Sequence, residues 1–362
     1  MAAGFGKNDR WITGRVPPPG HLLTCRQALH GVVDNLIIRA SLPPWVWGSQ
    51  ASRASLEVAG IAGRGWLGKR VQHTAVAFSE LGGYMREMLQ DELAGVSDCA
   101  TGQERSNLFK NLVEGLGSKT EGVALSEGDV FGNMFIFLIT GFETTAHAVA
   151  YALGLLALDE VEQQQLYDHI KQVLQDQEPT FDDVPRLTRV LAVFLETVRL
   201  YPATTETTKY VEEDAVFSVP AALSELEALE LDETDERRTD VFMPKGSEVI
   251  LDLFAVSHNP RYWSDPYTFK PERFLEPNWP RDAFTSFAIG SRSCIGRRFA
   301  EVEAIAIITL IVREYKVSID PARFPDIPGE SKLQRRERVL KSAMNLVVRP
   351  CDGIPLVLTR RS

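Results

Sequence analysis

The sequence predicts a mainly α-helical chain with small β-sheets, and three features predict it. Residues 126–158 form one long apolar stretch behind a capping pattern. Residues 71–94, 160–174 and 186–200 read as further helices, and strand-like runs are short and confined to 203–256 and 339–359. With 362 residues, 44% of them apolar, the chain can bury a sizeable core as one large domain or two smaller ones.

Composition narrows the function classes. A net charge of −10 argues against nucleic acid, which basic patches bind. Much of that charge is local: Ala221 to Asp240 holds eight acids and two arginines. This insert is expected to be a mobile loop, in which Leu223, Leu226, Leu229 and Leu231 form at most a short helix. Cys25, Cys99, Cys294 and Cys351 show no CxxC spacing, so neither a disulfide framework nor a zinc site is expected, and a reducing compartment is the default. Met1 to Arg10 lacks the apolar core of a signal peptide, and no uninterrupted apolar run is long enough for a membrane anchor.

In chain order, Trp11 to Gly20 is proline-rich and irregular, and Cys25 to Ala40 has the pattern of an amphipathic helix. Leu42-Pro43-Pro44-Trp45-Val46-Trp47 is an apolar loop that either packs on the protein or dips into a membrane interface. Val71 to Ala94 reads as a surface helix packed on one side, and Ala100 to Thr120 as a polar loop with a short helix. Ser126 and Asp129 look like the cap and first turn of a helix through Leu158, spanning roughly 50 Å at the helical rise. It is apolar almost all round and so expected to be buried, while Asn133, Glu143 and His147 would be costly in lipid. At its centre an acid stands beside a hydroxyl, Glu143 and Thr144, which makes either a proton relay or a structural hydrogen bond.

Glu160 to Leu174 reads as a polar surface helix, and Pro185 as the first residue of the next, Arg186 to Leu200, which stops before Pro202. Glu196 and Arg199 share one face of it, at the spacing of an ordinary surface ion pair. Ala203 to Val211 and Val241 to Val256 read as strands, with a turn at Pro244-Lys245-Gly246. Val339 to Thr359 gives two short strands split at Pro350 to Pro355.

The chain is organised around Phe287-Ala288-Ile289-Gly290-Ser291-Arg292-Ser293-Cys294-Ile295-Gly296, a glycine-bounded loop running into a helix that begins at Arg297. A cysteine at a helix start meets free N–H groups and the positive dipole end, which favour the thiolate, a good ligand for soft metals. Gly290 and Gly296 let backbone approach a flat ligand, and Arg292 can pair with a carboxylate. The set suits an iron porphyrin, although a lone cysteine beside a helix is more often a small buried hydrophobe.

The decapeptide resembles the heme-binding signature of the cytochrome P-450 superfamily, Phe-x-x-Gly-x-Arg-x-Cys-x-Gly, at all five defining positions. Thr140-Gly141-Phe142-Glu143-Thr144-Thr145 resembles the family's oxygen-activating motif, Ala/Gly-Gly-x-Asp/Glu-Thr-Thr/Ser, with Thr140 as the departure. Glu196-Thr197-Val198-Arg199-Leu200-Tyr201-Pro202 is similar to the Glu-x-x-Arg helix, and Phe269-Lys270-Pro271-Glu272-Arg273-Phe274 to its partner segment. Trp11 and Arg15 have the Trp-x-x-x-Arg spacing of a propionate-binding helix, but prolines 17 to 19 would break that helix at once.

The resemblance implies a cytochrome P-450 fold lacking its N-terminal helices, a single heme domain over 1–362 with a loop insert at 221–240. It assigns Cys294 as the axial iron ligand and Arg292 to a propionate, with Phe287, Gly290 and Gly296 completing the cofactor-binding set. Lys209 is a second propionate partner or a solvated lysine. Glu143 and Thr144 would deliver protons to iron-bound dioxygen, Thr140 would narrow the space for substrate, and Glu196, Arg199 and Arg273 would form a buried triad. The implied cofactor is heme b (iron protoporphyrin IX), and the implied reaction inserts one atom of dioxygen into an apolar organic substrate. Electrons come from NADPH through an NADPH-cytochrome P-450 reductase, and the implied location is the cytoplasmic face of the endoplasmic reticulum membrane, as in fungal relatives. Two other readings stand beside it: a truncated, non-catalytic heme-binding remnant that retains heme poorly, and an interaction module using the acidic insert.

Overall fold

A computed structural model describes residues 16–42, 66–94, 108–116, 124–175, 177–220 and 238–361. It divides into two compact units, Met1–Thr144 and Thr145–Ser362. The apolar loop at 43–47, Trp11, Arg15, Cys99 and residues 221–237 of the acidic insert lie outside the described residues.

In the first unit, helix α1 (Cys25–Ser41) packs along α2 (Trp66–Leu93). A capping box starts α1: the Thr24 hydroxyl accepts from Gln27 N–H, and the Gln27 side chain accepts from Thr24 N–H. Gly31 sets how closely the two helices approach, because a Cβ there would fall 2.7 Å from the Ala77 methyl. His21, just ahead of α1, stacks on Tyr84 with ring centroids 3.8 Å apart and meets Glu80 and Glu87 through its two ring nitrogens. A short α3 (Leu108–Glu114) precedes the long helix α4 (Glu127–Leu158), whose first part belongs to this unit.

α4 starts as its sequence predicts. Asp129 accepts from the Ser126 N–H and hydroxyl, and the same hydroxyl accepts from Asp129 N–H. It is the one helix among the described residues long and apolar enough, by length and composition alone, to cross a membrane. Burial all round is not observed. Val130, Met134, Leu138 and Ile139 are buried, while Gly132, Ile136, Thr140 and Gly141 are exposed. The uniform apolar composition hid this open stripe.

The second unit holds the rest of α4, α5 (Glu160–Leu174), α6 (Thr188–Leu200), α8 (Arg297–Glu314) and α9 (Lys332–Val339), with a short α7 (Leu253–Ser257). Ala152, Leu156, Val190, Val193, Ala304, Ile308 and Val312 lie at the centre of its core. Gln163 of α5, buried, donates to Leu156 O and Val317 O and accepts from Val317 N–H, tying α4 and α5 to the strand that follows α8.

Strands pair as four antiparallel ribbons: β1 (Glu206–Tyr210) with β4 (Glu248–Asp252), β2 (Ala215–Pro220) with β3 (Arg238–Met243), β5 (Tyr315–Ile319) with β8 (Leu356–Arg360), and β6 (Ser342–Met344) with β7 (Val348–Pro350). A mainly helical fold with small sheets is therefore what the chain adopts.

Several boundaries differ from the sequence reading. Pro185 does not open α6. A capping box at Thr180 and Asp183 makes a separate turn, Asp183 O accepts from Arg186 and Leu187 N–H, and α6 begins only at Thr188. The expected strand 241–256 is broken at the predicted turn, where Gly246 adopts φ +85°, and it ends at Asp252, whose side chain caps α7. The insert is not loop to its end, since Arg238 to Asp240 pair with Ser218 to Pro220. Residues 339–359 hold the last residue of α9 and three strands rather than two.

Candidate functional site

The Phe287–Gly296 loop is built on the aromatic edge of the second unit. Phe287 is half-buried, its ring 6.3 Å from Phe194 and 6.2 Å from Phe284, and the Arg297 guanidinium lies 5.2 Å over it. Arg297 is fixed in turn by Glu301, one turn along α8, at 2.9 Å. From that anchor the chain turns outward. Ala288 N–H donates to Thr285 O, Ser293 N–H to Gly290 O, and Cys294 N–H returns to Phe287 O at 2.8 Å, closing the loop. Ala288 at φ +56° and Gly290 at φ +82° take the left-handed turns this path requires.

Residues 288–295 are all exposed. Cys294 is a free thiol on this face, with Ile289 and Ile295, 88% exposed, on either side of it in the chain. A Cβ on Gly296 would stand in ordinary van der Waals contact with its Sγ, at 3.9 Å. Nothing lies within 4 Å of a Cβ placed on Gly290. Gly296 is also the N-cap of α8 and offers its first-turn N–H groups no side-chain cap. Arg292, in the single 3-10 turn Gly290–Arg292, is exposed. An accessible soft ligand, an open glycine turn, exposed isoleucines along the loop and an exposed guanidinium form a donor set that fits a flat, carboxylate-bearing macrocycle. The other cysteine placed near a helix start behaves oppositely: Cys25 is the first residue of α1, buried, and burial pushes its thiol up to about 12.

In the first unit, the acid and hydroxyl of α4 lie at the margin of the open stripe. The Thr140 hydroxyl donates to Ile136 O and the Thr144 hydroxyl to Thr140 O, both at 2.8 Å, so the two donors back-bond in series along one face. Glu143, three residues from Thr140, is buried, and its Oε1 lies 3.9 Å from His30 Nδ1 of α1. The His30 ring meets Phe142 edge-on at 5.0 Å. No motif or spacing in the sequence points to the His30 contact.

The Glu-x-x-Arg helix is α6, and its pair is not at the surface. Glu196 and Arg199 are completely buried; Arg199 Nε and Nη2 grip the carboxylate at 2.7 and 2.8 Å. Arg273 Nε adds 3.2 Å and Lys270 N–H 2.9 Å. Lys209 stands exposed on β1.

Comparison with known proteins identifies the family of the chain. The cytochrome P450 family profile matches residues 64–219 and 232–341. The chain is 36% identical over 363 residues to cytochrome P450 monooxygenase 124 of Postia placenta, covering 99% of this chain and 63% of that protein. It is 25% identical over 378 residues to cytochrome P450 monooxygenase prx9 of Penicillium rubens, covering 95% and 59%. It is 31% identical over 242 residues to cytochrome P450 3A31 of Mesocricetus auratus, covering 66% and 43%. The chain thus spans less than two thirds of the length of these relatives. A profile covering most of the chain and a full-span fungal relative place this protein in the cytochrome P450 family, among its fungal-type members.

Proposed function

We propose that the protein is a heme-thiolate monooxygenase. The observation that carries this reading is the exposed Cys294 thiol, held between an open Gly290 turn and the Gly296 cap of α8 in a cytochrome P450 chain. Cys294 would ligate the iron of heme b, and the exposed Arg292 would pair with a propionate. Phe287 anchors the loop, while Gly290 and Gly296 keep it free of side chains. We take the two units to act as one heme domain, with 221–240 as its insert. When bound, the heme supplies the activation of dioxygen and insertion of one atom into an organic, apolar substrate.

The chain's own contribution is to place groups and move protons. Glu143 holds a proton at a buried carboxyl, and Thr144 passes it on by turning its hydroxyl away from Thr140 O. Thr140 puts a methyl and an oxygen where a smaller residue would leave space, which restricts substrate bulk. NADPH would supply electrons through its cytochrome P-450 reductase, and the location would be the endoplasmic reticulum membrane. The test is the carbon monoxide difference spectrum of the reduced, heme-loaded chain. A band of the thiolate-ligated type is expected; a band of the imidazole-ligated type would overturn the assignment.

A further inference from the structure

Glu143 is almost fully buried in α4, whereas the ring 3.9 Å from it, His30 on α1, is 45% exposed. The pair therefore joins the inside of the first unit to solvent. The separation is longer than a hydrogen bond, and transfer between the two requires a side-chain rotation that shortens it. α1 and α4 are different elements, and Phe142 braces the His30 ring edge-on. Among side chains, an imidazole is the one that exchanges protons with water near neutral pH without any special environment.

We propose that His30 is the solvent-facing end of the proton path that Glu143 and Thr144 complete, an inference that rests on the reading of those two residues given above. Once Glu143 has given up its proton towards Thr144, the imidazolium Nδ1–H donates to the Glu143 carboxylate, and the neutral imidazole takes a proton from water. No electron moves, and each cycle of the path imports one proton. His30 acts through Glu143 and is a positioning residue in this sense. Other titratable groups neighbour the path. Asp34 follows His30 by one turn on α1, His73 of α2 packs at Gly31, and His147 follows Glu143 by one turn on α4. The His30 variants below separate His30 from these three, because they alter His30 alone.

Two measurements decide it. The first needs no heme: the ring titration of His30 is followed by NMR in histidine-labelled protein and in Glu143→Gln. Removing the facing carboxylate is expected to move the His30 midpoint to lower pH, because the carboxylate favours the imidazolium. An unmoved midpoint would show that the two groups do not share a proton and would overturn the proposal.

The second is peroxide released per NADPH consumed by the heme-loaded protein and reductase with no substrate added. Failed proton delivery releases two-electron peroxide, and successful delivery carries oxygen on to water. His30→Gln keeps size and polarity but cannot carry a proton. It is expected to release about two-fold or more peroxide per NADPH and to lose the pH dependence of that ratio. His30→Asn, checked with it for normal folding by thermal melting, is expected to do the same. If Glu143→Gln raises peroxide while both His30 variants match the unaltered protein, His30 is not the port. If Glu143→Gln leaves peroxide unchanged, the proton role of Glu143 itself falls, and the port falls with it.

Discussion

Two motif regions of the second unit, the Glu196–Arg199–Arg273 cluster and the Phe287–Gly296 loop, differ in where their polar groups end. The cluster closes on itself. Glu196 receives two arginines and a backbone N–H. Arg199 Nη1 spends its donors on Ser257 O and Pro266 O, and Arg273 Nη1 donates to Ser264 O. The Arg199 guanidinium also lies 5.2 Å over the buried Trp263 ring. Charges survive out of water only when so fully paired, which makes the cluster part of the fold. The loop does the reverse. Its backbone bonds close the turn, while its thiol and guanidinium are left facing outward. The cluster's polar atoms are satisfied by the protein and hold the fold, whereas the loop's are left accessible to the ligand proposed above.

The largest effect expected from breaking this contrast is on the cluster. Glu196→Ala strands two buried arginines and is expected to lower unfolding stability by about 3–5 kcal/mol, read by urea denaturation of the heme-free chain. A stability within about 0.5 kcal/mol of the unaltered chain would mean that the arginines find water or other partners, and the cluster would not be structural.

A smaller effect is expected where the loop is strained. Gly290→Ala meets no neighbouring atom, so its cost is the backbone strain of an alanine at φ +82°, about 1–2 kcal/mol, and heme retention is expected to weaken as the turn relaxes away from that angle. Heme titration and denaturation of the same variant separate the two quantities. Loss of stability as large as that of Glu196→Ala would show that the loop is part of the core after all.

The mildest probe leaves the chain unchanged. Iodoacetamide at neutral pH is expected to label the exposed Cys294 of the heme-free protein readily and Cys25 hardly at all, since burial both shields that thiol and pushes it up to about 12. Heme should protect Cys294 alone. Peptide mapping by mass spectrometry reads the labels, and equal labelling of the two would contradict the contrast.

Much of this was legible in the sequence because the signals are local. α5 runs from Glu160 to Leu174 as read, α8 opens at Arg297, and the Ser126–Asp129 cap starts α4. The spacing of Glu196 and Arg199 alone suggested a surface ion pair; the resemblance to the family implied the buried triad with Arg273 that is observed. What was missed depends on partners far along the chain. β2 is a six-residue run flanked by acidic residues and finds β3 only across the insert. β5 continues the apolar run of α8 and becomes a strand because β8 and Gln163 pair with it. α9, with the sequence Lys-Leu-Gln-Arg-Arg-Glu-Arg-Val, has too little apolar periodicity to register, although its capping box of Ser331 and Gln334 was readable. The open stripe of α4 and the His30–Glu143 contact could not be read at all, since neither follows from spacing within one helix.

The central claim is that Cys294 belongs to the ligand and not to the fold, and Cys294→Ala tests it with two readings on one protein. The thermal midpoint of the heme-free variant is expected to match that of the unaltered heme-free chain, because an exposed side chain with open surroundings is removed. After loading with heme, the thiolate signature in the ferric electron paramagnetic resonance spectrum is expected to vanish. A retained thiolate signature, or a midpoint lowered as far as that of Glu196→Ala, would contradict the account.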